Sequence, residues 1–582
     1  MVWRELTDGL AQALTACGFD GPGWRSRLEL SVPRETAHGD WTTNLAMVLA
    51  KEARRPPRAL AEALAAAFPA DSAIVLPPEV AGPGFLNFRY TPAFLATLPG
   101  RIRGDGEQFG RSDHGAGESV LVEYVSANPT GPMNVVSARA AAVGSTLVRL
   151  LNATGHRAAG EFYVNDAGNQ VDLLGASLAA QFANRIGDAR ELPEGGYRGS
   201  YIAELAARLP EEEGRRALAD PNGSAWFRDQ ALERMVAWQR TDLEAYGVTF
   251  DRWSRESALH GSGAVQETLA ELERRGMVYR DTAPRAVSEA AQSRVGKGTE
   301  KDEAATWLST HQFGDDMDRV IVRANGIPTY LLPDIAYHRD KHTRGFTRAI
   351  DLWGPDHHAY IGTLQAGLRA AGLAAGFLEV LIVQQVNLLS GGQTVKMSKR
   401  AGEFITLRDL VDEVGADCAK FFFLLRTTSA HLDFDMDLAR RQNDENPAFY
   451  VQYAHARIGS ILKFAVEQNA PAPLAANEPP DGAVAPGADE ERALIRKLAT
   501  FPEVVRGAAL AREPHRIPTY LMETAAEFHR FYHVCRVVSE DRATTRWRLS
   551  LCEATRQVLA NGLALMGVSA PERMERTAEA GA

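Results

Sequence analysis

Apolar and polar positions follow different periods in successive parts of the chain. Near the N-terminus, ELTDGLAQALTACG and PRALAEALAAAF have helical spacing, whereas AIVLPPEVAGPGFLNFRY alternates and bends like strands around a Gly/Pro turn. From about residue 120 to 410, the strand-like runs VLVEYV, RVIVRA, RAIDLWG and EVLIVQQVNLL alternate with helical segments. That alternation predicts a parallel sheet with crossover helices. Beyond about residue 410, almost all of the sequence has helical spacing.

These patterns predict a Rossmann-like α/β domain at residues 111–410, between an α+β domain at 1–110 and an all-α helical bundle at 411–582. Within the α/β domain, about 165–305 is longer and more charged than a crossover needs, which indicates an insertion. The Gly-rich, charged stretch 103–119 is interpreted as a linker. The Ala/Pro-rich stretch 469–491 is interpreted as a flexible loop, because its composition is unsuited to burying a core.

Composition narrows the class of protein but not its function. The 582 residues are 45% hydrophobic and 24% charged, and the longest apolar runs are too short to predict a membrane span. The four cysteines form no C-x-x-C pair, so we expect no zinc site, reduced thiols and a cytoplasmic location. A net charge of −10 gives no hint of a nucleic-acid partner but does not exclude one, since binding depends on where Lys and Arg cluster.

A tight turn joins the first of the strand-like runs to a helix. Residues 126–144 read SANPTGPMNVVSARAAAVG, with Gly131 permitting a sharp turn and a helix predicted from near Asn134 to a C-cap at Gly155. One buried stripe is predicted on this helix, formed by Val143, Leu147, Leu150 and Leu151. Nucleotide-binding folds present a helix N-terminus to phosphate in this way. On its own, the pattern is equally expected in any doubly wound domain.

A second stretch, NLLSGGQTVKMSKRAGEFITL, places two lysines on a short loop after a strand. Lys396 and Lys399 flank Met397 and Ser398, and two such point charges suit the clamping of a triphosphate. A random K-x-x-K is usually a solvated face, but KMSKR after a strand is far more specific. Here the chain resembles the class I aminoacyl-tRNA synthetases, whose second signature is Lys-Met-Ser-Lys-Ser.

Further motifs narrow this resemblance. The chain contains YLLPDIAYHRDKHTRGFTRAIDLWGPDHHAYIG, VEYVSANPTG, FYVNDAGNQ, FGDDMDRV and ENPAFYVQYAHARIGSIL in an order that resembles the bacterial-type arginyl-tRNA synthetases over essentially the whole length. The resemblance implies an arginine–tRNA ligase that uses ATP with Mg²⁺, L-arginine and tRNA(Arg). We further expect a monomer with no membrane partner.

The resemblance also assigns the substrate arginine to particular residues. It implies that Glu123, Asn128, Tyr330 and Asp334 hold this arginine. A guanidinium is a planar fork of five donors, so carboxylates and an amide oxygen beside an aromatic wall suit it. Without the resemblance, Tyr330 and Asp334 are equally well explained as an apolar and a solvated position on a helix.

On the ATP side the chain departs from the family. Family members carry His-Val-Gly-His where this chain has Asn134-Val135-Val136-Ser137. The resemblance gives the two histidine positions, here Asn134 and Ser137, the role of donors to the ATP phosphates, and gives the glycine position contact with adenine. Asn134 keeps a donor, Ser137 is short enough to need a bridging water, and Val136 is β-branched where the backbone has to touch an aromatic ring.

Other expected ATP contacts come from the turn and from two later motifs. They are Gly131, then Gly354, Asp356 and His357 of the W-G-x-D-H-H segment, and Met397, Ser398 and Lys399 with the catalytic lysine Lys396. The pair His357 and His358 suggests metal ligation in isolation, but no further Cys/His cluster supports it. Two more departures are Glu403, where the family usually has Asn, and Met317, where it usually has Lys. Glu403 adds negative charge unless Arg400 or a metal neutralises it.

Two functional interpretations therefore stand. In the first, the chain is a working or weakened arginine–tRNA ligase whose phosphate contacts come from Lys396, Lys399, Asn134 and Mg²⁺. In the second, it is a paralogue that binds arginine or tRNA in a regulatory or biosynthetic role without efficient adenylation. The intact arginine groups, lysine loop and C-terminal helices favour the first.

The remaining candidates concern tRNA. The C-terminal region resembles an anticodon-binding bundle, with Tyr450, Tyr453 and His455 near Arg457 as stacking and phosphate contacts. The alternative is an aromatic core stripe. The N-terminal region resembles a domain that meets the tRNA elbow, with Asn87 as a contact and with Phe85 and Phe88 expected in the core.

Overall fold

The protein is described here by a computed structural model. It describes residues 2–19, 21, 23–33, 35–288, 303–394, 405–476, 478 and 487–574. The loop residues Lys396, Met397, Ser398, Lys399, Arg400 and Glu403 lie outside these ranges.

The N-terminal region packs helices on a small antiparallel sheet. Its elements are α1 (Val2–Ala16), β1 (Trp41–Thr43), α2 (Leu45–Ala53), α3 (Pro57–Ala67), β2 (Glu79–Ala81), β3 (Phe85–Phe88) and α4 (Pro92–Asp105). β3 is the central strand, and its Phe88 pairs with Trp41. Proline opens α3 and α4, where a missing N–H costs nothing, and the Thr91 side chain caps α4.

The central region is built on a parallel sheet. Its elements in chain order are β4 (Ser119–Glu123), α5 (Val135–Ala153), β5 (Arg157–Val164), α6 (Asn169–Arg185), α7 (Ser200–Ala207), α8 (Glu211–Ala219), α9 (Ser224–Ala245), β6 (Arg252–Arg255), α10 (Glu256–Gly261), α11 (Ala264–Arg274), β7 (Val278–Asp281), β8 (Ala305–Leu308), β9 (Arg319–Val322), α12 (Leu331–Thr343), β10 (Arg348–Trp353), α13 (Ile361–Ala370) and β11 (Leu378–Ile382). The sheet order is β11-β10-β4-β5-β6, and all its pairings are parallel.

Helices cover both faces of this sheet. Val120, Val122 and Ile350 share a core with α5, whereas Ala349 and Leu378 share another core with α11, α12 and α13. The predicted stripe on α5 is confirmed, since Val143, Leu147, Leu150 and Leu151 are all buried. Gly155 follows the helix with a φ of +84°, in the left-handed region that suits a C-terminal cap.

Three sequence predictions about this region need correction. The run RVIVRA forms β9, which belongs to an antiparallel sheet of order β7-β8-β9 rather than to the parallel sheet. The run EVLIVQQVNLL is two strands in different sheets. The predicted insertion at 165–305 contains β6, an edge strand of the parallel sheet. Strand periodicity does not specify the pairing partner, and the sequence of β6, RWSR, is too polar to read as a sheet strand.

The insertion also contains a separate helical unit. Helices α6 to α9 share a core of their own, which includes Leu174, Leu178, Phe182 and Phe227. This unit therefore packs as a helical layer beside the carboxyl edge of β4.

The C-terminal region is helical apart from a short sheet. Its elements are β12 (Val386–Ser390), β13 (Gln393–Thr394), α14 (Leu407–Val414), α15 (Ala416–Leu424), β14 (Leu432–Asp435), α16 (Met436–Arg440), α17 (Pro447–Glu467), α18 (Asp489–Ala499), α19 (Phe501–Ala511), α20 (Arg516–Val534) and α21 (Arg542–Met566). Together the three regions confirm the predicted fold class: a Rossmann-like α/β domain between an α+β domain and a helical bundle. In the part of the chain that the structure describes, no helix is long and apolar enough to cross a bilayer.

The two predicted connecting segments pack more closely than expected. In the stretch 103–119, the amides of Ser112 and Gly115 donate to the carbonyls of Ala153 and Thr154 at the end of α5. In the stretch 469–491, Leu474 is buried and its amide donates to Ser550 of α21. A single leucine in an Ala/Pro-rich stretch gives no periodicity, so the sequence did not reveal this packing.

Candidate active site

The ends of β4 and β10 lie side by side at the point where the order of the parallel sheet reverses. From β4 the chain proceeds outward through β5 and β6, and it later returns to form β10 on the other side of β4. Asp351 of β10 is the register partner of Glu123 of β4. The segments that follow these strands therefore leave the same edge of the sheet. Ligands of doubly wound folds bind in the crevice at such a reversal.

The turn after β4 has a strained backbone. Val125 and Ser126 have φ angles of 72° and 39°, in the left-handed region that a β-branched residue rarely adopts. The hydroxyl of Ser126 donates to Glu123 at 2.9 Å and accepts the amide of Tyr163 at 3.1 Å. Strain of this kind persists where surrounding contacts determine the conformation, and it is concentrated at functional sites.

The helical insertion fixes the next part of the same turn. The Gln239 amide of α9 donates to the carbonyls of Asn128 and Gly131 at 3.2 and 2.9 Å. Tyr201 of α7 donates its hydroxyl to the carbonyl of Thr130 at 2.8 Å. The Asn128 side chain remains exposed and donates to Gln170 at 2.9 Å. The insertion thus sets the shape of the turn without covering Asn128.

Asp334 and Glu123 are two carboxylates close enough for the charge of Glu123 to raise the pKa of Asp334, and the pair is here called the acidic pocket. Asp334 is in the first turn of α12, and its carboxylate accepts the hydroxyl of Tyr360 at 2.7 Å. Burial raises the pKa of Asp334 to about 6, with Glu123 and Glu256 adding to the shift and the Tyr360 hydrogen bond opposing it. The carboxylate is half-buried and therefore already has few water contacts. A cation that binds to it displaces little water and gains a strong electrostatic interaction.

Glu123 is neutralised from within the protein. The ammonium of Lys341, which is fully buried, donates to Glu123 at 2.6 Å and to Asp351 at 2.9 Å. Burial alone would lower the pKa of Lys341, but these two carboxylates raise it above its ordinary value. Burial raises the pKa of Glu123, and Lys341 is the largest influence in the opposite direction.

Tyr330 lies apart from these buried groups. It is the residue before α12, and it is 81% exposed. Asp334 donates its amide to the Tyr330 carbonyl at 3.2 Å, so the two residues belong to one helical turn. Of the four residues predicted to bind arginine, Glu123 and Asp334 therefore share the acidic pocket, while Asn128 and Tyr330 stand exposed at the ends of the adjoining segments.

The first turn of α5 contains the altered nucleotide motif. Asn134 is the N-cap of the helix, and its side-chain oxygen accepts the amide of Ser137 at 3.0 Å. Val136 is 36% exposed in the same turn. Thr406, the first residue of a capping box on α14, forms a bridge with Asn134, and Leu407 donates its amide to the Met133 carbonyl at 2.8 Å. The end of the lysine loop is thus attached directly to the start of α5.

The W-G-x-D-H-H segment follows β10 at the same sheet edge. Gly354 precedes a short 3₁₀ helix, Pro355–Tyr360, on which Asp356 and His357 are exposed and lie 3.4 Å apart. His358 is exposed as well. By contrast, Met317 is half-buried next to β9, where its backbone bridges to Val287.

The candidates for tRNA contact divide by exposure. Tyr450, Tyr453 and Arg457 line a cleft of about 450 Å³ between α17 and α20, and the Arg457 guanidinium lies 4.6 Å from the centre of the Tyr532 ring. His455 is instead buried against the carbonyl of Pro571 at 2.9 Å. Its burial argues against a base contact.

The N-terminal candidates also differ from expectation. Asn87 is buried in β3 and accepts the Thr42 hydroxyl at 2.7 Å, which argues against an RNA contact at this position. Phe88 is buried as predicted, but Phe85 is 37% exposed, so its assignment to the core is wrong. Phe85 is the first residue of β3, and the three residues after it are all buried, so the strand period alone does not account for its exposure.

Several site residues were missed by the sequence interpretation. They are Ser126, Tyr163, His338, Lys341, Asp351 and Tyr360. A signal for some of them exists, since Asp334, His338 and Lys341 fall at i, i+4 and i+7 on one face of α12. Asp351 is likewise a single carboxylate within the apolar run RAIDLW. A charged helix stripe opposite a charged strand position is the pattern of a buried ionic cluster.

Comparisons with known proteins match nearly the whole chain to one family. Residues 4–90 match the arginyl-tRNA synthetase N-terminal domain, 105–421 match the catalytic domain of class I (R) tRNA synthetases, and 451–574 match the DALR anticodon-binding domain. The arginine–tRNA ligase of Symbiobacterium thermophilum is 43% identical, and that of Desulforamulus reducens is 41% identical. The matches cover 98% of this chain and 98% and 99% of those proteins, respectively.

Solved structures agree on the fold. Thermus thermophilus arginyl-tRNA synthetase superposes with a TM-score of 0.73 at 23% identity, covering 99% of this chain and all of that one. With the sheet reversal, the acidic pocket and the end-to-end matches in agreement, the chain belongs to the class I arginyl-tRNA synthetase family.

Proposed function

We propose that the chain is an arginine–tRNA ligase, which activates L-arginine with ATP and transfers the arginyl group to tRNA(Arg). The observation that carries the proposal is the acidic pocket of Glu123 and Asp334, which opens beside the N-terminus of α5 at the reversal of the parallel sheet. The pocket supplies acceptors for a cationic side chain, and the helix N-terminus supplies donors for phosphate. Full-length relatives named arginine–tRNA ligase support the same assignment.

Arginine recognition begins with charge. Asp334 accepts the guanidinium as its main anionic partner, and Glu123 contributes an oriented oxygen acceptor. Tyr330 provides an aromatic face on which a planar cation packs, and Asn128 provides an amide at the mouth of the pocket. These roles follow the exposure of each group: Glu123 is buried and Asp334 is half-buried, while the aromatic ring and the amide are accessible to an entering ligand.

ATP is proposed to lie along the first turn of α5 and the segment after β10. Gly131, Asn134, Val136 and Ser137 border the phosphates and base from one side, and Gly354, Asp356 and His357 border them from the other. Lys396, Met397, Ser398 and Lys399 are proposed to contact ATP, with Mg²⁺ entering as part of the nucleotide substrate. The attachment of Thr406 to Asn134 supports this, because it ties the end of that loop to the same helix.

The reaction follows from positioning and charge stabilisation. The carboxylate of arginine attacks the α-phosphate in line and expels pyrophosphate, giving arginyl-adenylate. A hydroxyl of the terminal adenosine of tRNA then attacks the arginyl carbonyl carbon, and AMP leaves. No side-chain nucleophile is needed. Tyr450, Tyr453 and Arg457 are proposed to meet unpaired tRNA bases in the cleft between α17 and α20. We place the reaction in the cytoplasm, with the chain acting as a monomer.

The test is arginine-dependent exchange between ATP and pyrophosphate, measured with and without tRNA(Arg). Exchange that requires arginine, followed by arginylation of tRNA, is the expected result. Arginine binding without any exchange under either condition would overturn the ligase and leave a protein that only binds its ligands. Lysine and citrulline serve as controls, since neither combines the charge and the planar fork of arginine.

A further inference from the structure

The buried charges behind the acidic pocket form a closed set, here called the Lys341 cluster: Glu123, His338, Lys341 and Asp351. Lys341 joins the two carboxylates, and His338 lies 2.9 Å from the second oxygen of Asp351. The other ring nitrogen of His338 lies 2.8 Å from the Asp334 carbonyl. Nε2 of His338 also lies 3.5 Å from the ammonium of Lys341, so the imidazole contacts both Asp351 and Lys341.

The ammonium of Lys341 is shared by the two carboxylates of the cluster before any ligand enters. Lys341 and His338 lower the pKa of Asp351 to about 2 against the effect of burial, so this carboxylate stays ionised. Asp334 differs, because its side chain accepts from the neutral hydroxyl of Tyr360.

We propose that Lys341 is a positioning residue that determines specificity: by occupying one oxygen of Glu123 it fixes that carboxylate as an acceptor, and it leaves Asp334, whose side chain accepts a neutral hydroxyl, to pair with the single charge of arginine. The inference rests on the proposed function and states how that pocket selects its substrate. A neutral analogue leaves Asp334 unpaired, and a second free carboxylate would favour a dication or a proton instead.

The fixed geometry of Glu123 follows from its two contacts. One oxygen accepts Lys341 and the other accepts the hydroxyl of Ser126, which also holds the strained turn. If Lys341 is removed, burial dominates at Glu123 and the carboxyl takes up a proton. A protonated Glu123 presents a donor to a guanidinium that offers only donors. Arginine then loses an acceptor and meets a repulsive contact in the same pocket.

Other titratable and charged groups face this pocket and contribute to its pH response. They are Glu161 and Tyr163 of β5, Glu256 of α10, Tyr337 of α12, Tyr360 before α13 and Arg319 of β9. Glu161 is itself paired with Arg344 at 2.7 Å. Glu161 is buried and Arg344 is half-buried, and neither contacts Glu123 in the hydrogen bonds described, which makes Arg344 a matched control.

The experiment measures the Kd of L-arginine and of citrulline by calorimetry on the full chain between pH 5 and pH 8. Lys341→Met alone leaves buried carboxylates without a partner, so the informative variant is Lys341→Met with Asp351→Asn, which removes one positive and one negative charge together. Arg344→Met breaks an ion pair elsewhere, and Asp351→Asn alone retains Lys341 on Glu123. Thermal melting of each variant reports folding separately.

In the wild type, arginine binding weakens as the pH falls through about 6, because Asp334 takes up a proton. For the double variant we expect this weakening to begin at least about one pH unit higher, with an arginine Kd at pH 7 raised about tenfold or more. Its preference for arginine over citrulline should fall by a similar factor. Arg344→Met should keep the wild-type pH profile and preference, and Asp351→Asn, which retains Lys341 on Glu123, should change both less than the double variant does.

A double variant with the wild-type profile overturns the inference, as does an Arg344→Met variant whose profile moves equally far. Each of these results counts against the inference alone if the wild type catalyses arginine-dependent exchange, because the proposed ligase activity is then still observed. A wild type that neither binds arginine nor catalyses exchange overturns the proposed function, and this inference with it.

Discussion

The two sides of the candidate site are built differently. On the arginine side, Glu123 and Asp334 are held by side chains from neighbouring strands and helices, and their charges are compensated or perturbed by burial. On the nucleotide side, Asn134 and Ser137 contact each other, and Val136 projects from an exposed helical turn. One side is preorganised by the tertiary structure, and the other depends on a single turn of helix.

This difference between the two sides indicates where substitutions are tolerated. Replacing one member of a buried ionic cluster leaves an uncompensated charge, so such residues change together or not at all. The first turn of a helix already offers backbone N–H groups to an anion, which remain when the side chains change. We therefore expect the altered nucleotide motif to keep part of its phosphate binding through the backbone, whereas an altered arginine pocket would have no such substitute.

The largest effect is expected for Asp334→Asn, which should weaken arginine binding. The substitution removes the uncompensated charge while keeping the size of the side chain. Loss of a buried, hydrogen-bonded charge partner costs about 2–5 kcal/mol, which raises the arginine Kd at least about 30-fold. Calorimetry with L-arginine measures this. Asp340→Asn is the matched control on α12, since Asp340 pairs with Arg344 at 2.8 Å and not with the pocket. An equal loss in both variants would contradict the role of Asp334.

The second-largest effect is expected on the nucleotide side, for Val136→Gly. Val136→Gly removes the β-branched side chain at the position where the adenine is proposed to touch the backbone. Relief of an overpacked contact of about 1–3 kcal/mol lowers the KM for ATP about 5- to 150-fold, measured by pyrophosphate exchange. Val136→Ala removes the branch with a smaller cost in helix propensity and should give part of the gain. A KM for ATP that changes in neither variant would show that Val136 does not face the base.

The third effect is the pH dependence of arginine binding. The pKa of Asp334 is raised to about 6, so the ionised form that pairs with a guanidinium prevails above pH 6 and is lost below it. The arginine Kd should be flat from pH 7 to 8 and rise by up to about tenfold per pH unit below 6. Tyr360→Phe removes a hydrogen bond that opposes the raised pKa, so the rise should begin at higher pH. A profile that Tyr360→Phe shifts downward contradicts the assignment.

The smallest effect is expected at the mouth of the pocket. Tyr330→Ala removes an aromatic face that is 81% exposed without ligand. Loss of a cation–π contact of about 1 kcal/mol raises the arginine Kd roughly fivefold. The free energy of unfolding should change by no more than about 0.5 kcal/mol, because an exposed side chain contributes little to stability. Ile327→Ala, which alters a 52% exposed neighbour in the preceding loop, should leave the Kd unchanged.

Much of the architecture follows from local pattern. The period of α5 identified its buried stripe, and the turn composition identified its start, because both depend on residues close in sequence. The alternation of strands and helices was sufficient for the fold class. It was insufficient for β6 and β9, since the pairing partner of a strand is chosen by contacts between distant segments.

The sequence by itself determined the order of the elements, the strand–turn–helix, and the identity of residues such as Glu123 and Asp334 through their motifs. Only the tertiary structure decided how those residues are charged and which of them are accessible. Lys341 is distant in sequence from Glu123, and their contact exists because β4 and β10 pair in register with α12 packed across them. Burial and the distance between charges determine a pKa, and both are properties of the folded chain.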